Sequence, residues 1–420
     1  MEENNSKNKK VNNSSKKSII IVAIVIAFIF SNIMFFYIGN VFAFSGLTLK
    51  NVSEDVAKDL GDIKDVKKYN LLFQVREALL AKYDGQIDDD ALLEAAIKGM
   101  TQSLKDPYTV FMNANEYKSF VEQSEGHFVG IGAQLGIKDD KVTIVAPIEG
   151  SPAEKAGLKS GDVILKVDGT DIVEPNVEKT ISMIKGEQGK PVTLTVARAN
   201  SQDLDITIVR DVIKVVSVRG EIIDGNVGYI QIASFDEDVA KNFKEKIIEL
   251  KNQGMKGMIL DLRGNPGGFL GEAVNVASQF IPKGKVVTYT VDKYENKQES
   301  KSVGGEAEGM PLVILIDGGS ASASEVVTGA LRDYKAGTIV GTTSFGKGVV
   351  QQLIEFKDGS GGLKVTTSKY YTPNGENIHK IGIKPDIEVT IPEEMLSKEY
   401  NRSIDPQFNK GLEVIKDKLK

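Results

Sequence analysis

Ser322 and Lys347 are the residues whose types and spacing most directly suggest covalent chemistry. Ser322 lies in Gly318–Glu325 (GGSASASE), at the mouth of a predicted helix over Ala321–Tyr334. Lys347 follows 25 positions later in Ser344–Gln351 (SFGKGVVQ), flanked by Gly346 and Gly348. The chain has two histidines, His127 and His379, and no cysteine. A serine nucleophile here needs a base other than histidine, and lysine is a known substitute. Such a lysine must be neutral before the attack. Bringing its pKa from about 10.4 to near 7 takes roughly 3 units, or about 4–5 kcal/mol. Desolvation can supply that, and Phe345, Val349 and Val350 surround Lys347 with apolar groups. Gln351 is placed to hydrogen-bond the amine.

Attack on a carbonyl develops negative charge, which the free N–H groups of a helix N-terminus favour. The Ala323 amide is one candidate oxyanion donor. A second is expected from Asp261–Gly268 (DLRGNPGG), a buried-type strand followed by a Pro-Gly-Gly turn, with the amides of Gly268 and Gly267 as candidates. Chemistry alone does not choose among Ser320, Ser322 and Ser324, and all three could simply cap a helix. Asp333 sits eleven residues beyond Ser322, on the same helical face but about 16 Å along the axis, so a structural role is expected. Glu325 is expected to complement the helix N-terminus. His127 and His379 are expected on the surface or in loops.

The elements around these residues read as an α/β pattern from 212 to 391. Val227–Ile232, Gly257–Leu262, Leu312–Ile316 and Thr338–Gly341 are predicted strands, and Asp236–Asn252 an amphipathic helix. Residues 46–125 are predicted to be helical, either a docking arm or a packed subdomain, with Asn113 or Asn115 capping a helix that runs to about Ser124. Residues 392–420 read as a charged, partly helical tail. Residues 126–211 change to short strands and two short helices. Gly130, Ile131, Gly132 and Ala133 form a glycine-rich strand entry whose N–H groups can converge on an anion. Ile131 and Ile184 could line a side-chain pocket or be ordinary core.

The net charge is −6, and residues 1–17 carry +3, leaving −9 on the remainder. Nothing in this balance resembles a basic nucleic-acid surface, and the lack of cysteine excludes disulfides and thiolate metal sites. No His-Glu-x-x-His pattern or histidine cluster suggests a metalloprotease. Gly341–Lys347 fits G-x-x-x-x-G-K, but Gly348 stands where a phosphate-binding loop needs Ser or Thr. Ser18–Tyr37 is a mostly apolar run of about 20 residues, enough to span a bilayer. Five preceding lysines predict residues 1–17 inside and the bulk of the chain outside, with a transmembrane anchor over 18–41. The alternative is a cleaved signal peptide, with Ala43-Phe44-Ser45 as its candidate site.

Two resemblances add to this reading. Ser151–Gly169 (SPAEKAGLKSGDVILKVDG) resembles a PDZ domain of the type attached to bacterial proteases. That implies a substrate C-terminus added as a β-strand, its carboxylate on amides near Gly130–Gly132. The DLRGNPGG, GGSASASE and SFGKGVVQ blocks, with Asp106–Thr109 (DPYT) and Tyr370–Ile387, resemble the C-terminal processing peptidases over roughly residues 70–390. That resemblance implies a crotonase-like α/β protease core with an inserted, mainly-β PDZ domain and a Ser–Lys dyad. By its serine-to-lysine spacing it selects Ser322. It implies protein or peptide substrates with exposed C-termini, no metal or organic cofactor, and a homodimer through terminal helical segments; taken with the apolar run at Ser18–Tyr37, the expectation is a single-pass anchor in a bacterial cell membrane. Lys185 departs from the arginine that many members carry before Gly186, which weakens the expectation of peptide gating. The rival is a membrane-tethered peptide-binding scaffold without catalysis.

Overall fold

The computed structural model describes residues 69–199, 201–396 and 400–420. The expected anchor and the residues before it lie outside the described residues. Among the described residues no helix is long and apolar enough to cross a membrane. The helix Asn70–Lys82 buries none of its residues and exposes Leu71, Leu72, Phe73, Val75, Leu79 and Leu80.

Gly257–Asp261 and Leu312–Ile316 are buried at every position, as uninterrupted apolar runs are when both faces of a strand are covered. They lie at the centre of a six-stranded sheet. Its order is Val218–Ile223, Val227–Ile232, Gly257–Asp261, Leu312–Ile316, Thr338–Gly341 and Ile387–Glu388. The first pair is antiparallel and the others are parallel. One face packs on the helices Val239–Asn252, Leu270–Ser278 and Ala323–Asp333, whose Phe243, Ile247, Val276 and Val327 are fully buried.

The opposite face corrects an expectation. The segment 392–420, read as a tail, carries the helix Pro406–Lys418, which seals the sheet. Its Phe408 and Ile415 pack with Tyr229, Ile259, Val313, Leu315 and Val340. Asp405 caps it, accepting from the amides of Gln407 at 2.9 Å and Phe408 at 3.1 Å.

A second sheet joins chain segments from both sides of the PDZ-like region. Val110–Asn113 pairs antiparallel with Gly361–Tyr371, which also pairs with Val286–Asp292 and Val349–Glu355. Val110–Asn113 lies within a stretch expected to be helical. Phe111 and Met112 are buried, and four residues are too few for a periodic pattern to show. Asn113 caps the next helix, Ala114–Ser124, by accepting from the amides of Asn115 and Glu116.

The inserted region has its own core, including Ile144, Leu158, Val192, Leu194 and Ile208. Its sheet runs in the order Ala133–Lys138, Lys141–Pro147, Val163–Val167, Pro191–Ala197, Leu204–Val209. The expected strand Phe128–Leu135 is divided. His127–Gly130 pairs with Asp211–Lys214, and Ala133–Lys138 starts the PDZ-like sheet as an edge strand.

Candidate active site

Two loops meet at the start of the Ala323–Asp333 helix. Asn265 is fully buried. Its side-chain amide donates to the Ile232 carbonyl at 2.8 Å, and its side-chain oxygen accepts from the Gly267 amide at 2.9 Å. Its main-chain carbonyl accepts from the Ala321 amide and the Ser324 hydroxyl, both at 3.0 Å. A Cβ on Gly267 would meet the Ala321 carbonyl and the Ser322 Cβ at 2.8 Å, so only glycine lets the two turns approach this closely. Gly268 has φ +145°, and a Cβ there would lie 2.3 Å from the Phe235 carbonyl oxygen.

The three serines are separated by their partners. Ser320 Oγ donates to the Leu262 carbonyl at 2.8 Å, and Ser324 Oγ donates to the Asn265 carbonyl at 3.0 Å. Ser322 lines a cleft of about 430 Å³. Its backbone is strained, with φ 54° and ψ −111°, a conformation that costs about 1–3 kcal/mol and persists only where its surroundings impose it. Here its amide donates to Glu325 at 2.8 Å, and its carbonyl accepts from the Glu325 and Val326 amides and the Tyr370 hydroxyl. The Ala323 and Gly268 amides have no acceptor among the described residues, whereas the Gly267 amide is committed to Asn265. Gly267, Gly268, Ala323, Lys347 and Gln351 line the same cleft as Ser322.

Glu325 does far more than complement a helix end. Its carboxylate is buried and accepts from Ser322 N, Ser344 Oγ, Gly346 N and Lys347 N at 2.6–2.9 Å. One side chain therefore ties the serine turn to the lysine loop. Sequence reasoning placed Glu325 in the first helical turn but had no signal for partners about twenty residues later.

Burial pushes the Lys347 amine below its ordinary pKa, and the neighbouring Lys364 ammonium adds to the effect. The Glu325 and Asp106 carboxylates pull the other way. The amine also lies 4.9 Å from the centroid of the Tyr108 ring. Tyr108 comes from the DPYT turn, which sequence reasoning used only as a family mark. Burial raises the Asp106 carboxyl, but hydrogen bonds from Thr109, Thr366 and the Tyr108 amide outweigh it and hold the group below its usual value. Thr109 Oγ1 accepts from the Thr366 amide at 3.1 Å, and the Gln351 amide nitrogen lies 3.3 Å from Thr366 Oγ1. His379, expected on the surface or in a loop, lies in a turn and stands edge-on to Tyr108 at 6.5 Å, with Nδ1 buried and unpartnered among the described residues. Asp333 accepts from Arg332 and from the Asn374 amide, far down the helix from Ser322.

The remainder of the DLRG block is structural. Arg263 binds Asp261 through Nε at 2.9 Å and Nη2 at 2.6 Å, and Asp405 through Nη1 at 2.7 Å. Burial works against its charge, but these carboxylates hold its pKa above the ordinary value.

In the inserted region Gly130, Ile131 and Gly132 are buried and Ala133 is half-buried. The Ile131 and Gly132 amides have no hydrogen-bond acceptor among the described residues. The side chains of Ile131 and Ile184 belong to the core rather than to an open pocket. Lys185 Nζ lies 3.4 Å from Ser119 Oγ, on the helix whose Phe120, Val121 and Ser124 line the cleft.

Comparison with known proteins fits this geometry. Residues 226–389 match the model of peptidase family S41, 143–198 a PDZ domain, and 32–116 the N-terminal domain of the activating protease CtpB. The chain is 42% identical over 326 residues to the carboxy-terminal processing protease CtpA of Bacillus subtilis (strain 168), covering 78% of this chain and 70% of that one. The chain belongs to the carboxy-terminal processing peptidases of family S41. It is therefore a serine-type peptidase with a PDZ domain. The peptidase is also 42% identical over 334 residues to the Staphylococcus aureus (strain COL) protein named "Probable CtpA-like serine protease", covering 78% of this chain and 66% of that one. A solved S41-type structure from Bacteroides fragilis NCTC 9343 has a TM-score of 0.51 at 18% identity, covering 80% of this chain and 93% of that one, and shares the fold.

Proposed function

We propose that the peptidase cleaves extracytoplasmic proteins near exposed C-termini with Ser322 as nucleophile and Lys347 as general base. The observation that carries this reading is the shared cleft of Ser322, Lys347, Gln351 and the two acceptor-free amides of Ala323 and Gly268. A substrate carbonyl over that pair of amides presents its carbon to Ser322 Oγ. Lys347, its ammonium disfavoured by burial, takes the hydroxyl proton as the tetrahedral intermediate forms and returns it to the leaving amine. Water then attacks the acyl-enzyme by the same route. Gln351, steadied from Thr366, orients the lysine amine. The core is crotonase-like, an assignment that rests on the resemblance.

The PDZ domain receives the substrate C-terminus. Ala133–Lys138 is an edge strand with a side open to a further strand, and the Ile131 and Gly132 amides are available to a carboxylate. Gly130 and Ala133 flank that nest. The apolar run at Ser18–Tyr37 anchors the peptidase in a bacterial cell membrane with its catalytic part outside. The exposed apolar face of Asn70–Lys82 suits a homodimer contact.

The test is incubation of the detergent-purified full chain with an unfolded protein such as casein, beside Ser322→Ala and Lys347→Ala. Cleavage by the parent and by neither variant is expected. Cleavage surviving both substitutions would overturn the dyad. A parent that binds peptide C-termini but never cleaves would favour the scaffold.

A further inference from the structure

Lys364 is a second cation in the candidate cleft; the proposed mechanism uses its charge only in lowering the Lys347 pKa and gives it no contact with the substrate. It lies on the strand Gly361–Tyr371, between Val110 and Leu353 of the neighbouring strands, and its side chain lines the cavity with Ser322 and Lys347. It is half-buried and has neither an ion pair nor a hydrogen bond among the described residues. Its ammonium rests 4.8 Å from the centroid of the Phe120 ring. Burial lowers its pKa, and no carboxylate offsets that effect. Most of the surrounding wall is apolar, including Phe120, Val121, Phe269, Val349 and Leu353.

An ammonium partly stripped of water and left without a counter-ion is costly to keep in a fold. A packing role would be filled as well by methionine or leucine, which carry no such cost. The cost is recovered when a ligand brings a carboxylate, because a charge-assisted hydrogen bond in a partly dehydrated cleft is stronger than one in water. The peptide chain that occupies this cleft is the only ligand the proposed reaction requires. It carries carboxylates of two kinds, acidic side chains and its own terminus.

We propose that Lys364 binds a carboxylate of the substrate chain in the catalytic cleft and so selects which peptide bond reaches Ser322. This rests on the cleft being the peptidase active site. The site is distinct from the amide nest at Ile131 and Gly132, so the peptidase has two carboxylate readers, one in the PDZ domain and one beside the nucleophile. Phe120 holds the free ammonium in place until the carboxylate arrives, and it lies next to Ser119, which Lys185 of the PDZ domain approaches.

The experiment uses full-length peptidase and a set of fluorophore-labelled decapeptides with amidated C-termini. Each carries one aspartate, moved position by position, and is paired with its asparagine counterpart. One asparagine peptide is also made with a free C-terminus. kcat/KM is measured for the parent, Lys364→Gln and Lys364→Arg. The parent is expected to prefer aspartate over asparagine, or free acid over amide, by about tenfold in at least one pair. In Lys364→Gln that ratio is expected to fall to within about twofold, while Lys364→Arg keeps it. Because ratios are compared, any general loss of activity cancels. An acid-over-amide preference that survives Lys364→Gln belongs to the PDZ nest and overturns the terminal-carboxylate arm. A preference for aspartate that is lost identically in the arginine variant is a packing effect and overturns the proposal, as does a full set of ratios unchanged by Lys364→Gln. If no peptide is cleaved in a Ser322-dependent way, the peptidase reading falls. The same ratios are then read as binding by fluorescence anisotropy in Ser322→Ala and Ser322→Ala/Lys364→Gln, which decides Lys364 on its own.

Discussion

Replacing Glu325 by glutamine tests whether the serine turn and the lysine loop are held by one carboxylate. The Glu325 oxygens accept in two pairs: Oε1 from Ser344 Oγ at 2.6 Å and Gly346 N at 2.7 Å, and Oε2 from Ser322 N at 2.8 Å and Lys347 N at 2.9 Å. An amide keeps one oxygen and puts an NH2 group in place of the other. If the NH2 faces Ser322 and Lys347, two buried amides lose their acceptor. If it faces Ser344 and Gly346, one amide is lost outright, and Ser344 Oγ, which already accepts from Ile383 N, must turn. Each unsatisfied amide costs about 1–3 kcal/mol, and the surviving bonds lose their charge assistance. The total is about 3–6 kcal/mol. At roughly 2 °C per kcal/mol for a chain of this size, Tm should fall by about 6–12 °C. The catalytic effect should be larger than that of ordinary destabilisation, because a displacement of about 1 Å costs on the order of a hundredfold in rate. We therefore expect kcat on casein to drop about 100-fold at a temperature where circular dichroism shows the variant folded. A third readout concerns pH. The Glu325 charge raises the Lys347 pKa, so its removal should move the acid limb of the kcat/KM profile to lower pH. A variant that loses less than about 1 kcal/mol and keeps its kcat would show that Glu325 merely complements the helix dipole, and the clamp would have to be abandoned.

Three further outcomes follow from the same site. Tyr108→Phe keeps the ring against Lys347 and should retain activity within about twofold, whereas Tyr108→Ala admits water to the amine and should shift the acid limb to higher pH; identical profiles for parent and alanine variant would remove Tyr108 from the site. Lys347→Met should abolish cleavage yet raise Tm at pH 7. The depressed lysine pKa makes the parent bind fewer protons folded than unfolded, so parent stability rises with pH between the folded and unfolded values, and the methionine advantage should shrink as pH approaches about 10.4. Arg263→Met leaves Asp261 and Asp405 as unpaired buried carboxylates at about 3–5 kcal/mol, and pulse proteolysis should then release the Pro406–Lys418 helix; resistance equal to the parent would contradict that account.

Much of the candidate site, the shared cleft of Ser322, Lys347, Gln351, Gly268 and Ala323, was legible because the backbone signals are local. A serine at a helix mouth, a lysine between glycines and a Pro-Gly-Gly turn each announce a backbone conformation. The choice among Ser320, Ser322 and Ser324 was not local. It depends on where two hydroxyls find carbonyls, those of Leu262 and Asn265, which the fold brings from another loop. Tyr108 and Thr109 stayed unread for the same reason, since Tyr108 reaches Lys347, and Thr109 reaches Thr366 beside Gln351, through the pairing of Val110–Asn113 with Gly361–Tyr371. The final helix is a different case. Phe408, Leu412 and Ile415 recur at helical spacing, but Lys410, Glu413, Lys416, Asp417 and Lys418 give the segment the look of a charged tail and disguise a face that the central sheet needs.

The pairing of Val110–Asn113 with Gly361–Tyr371 also bears on how this chain is made. The inserted PDZ domain is contiguous and can fold as soon as residues 126–211 have emerged. The catalytic unit cannot: its edge strand and Tyr108 are synthesised first, then wait for a partner that arrives some 250 positions later, and the sheet is sealed only by Pro406–Lys418. Contacts this distant in sequence form slowly. The PDZ domain can therefore be complete before Ser322 and Lys347 share a cleft. Before Pro406–Lys418 docks, Tyr229, Ile259, Val313, Leu315 and Val340 on one face of the central sheet lack their covering helix.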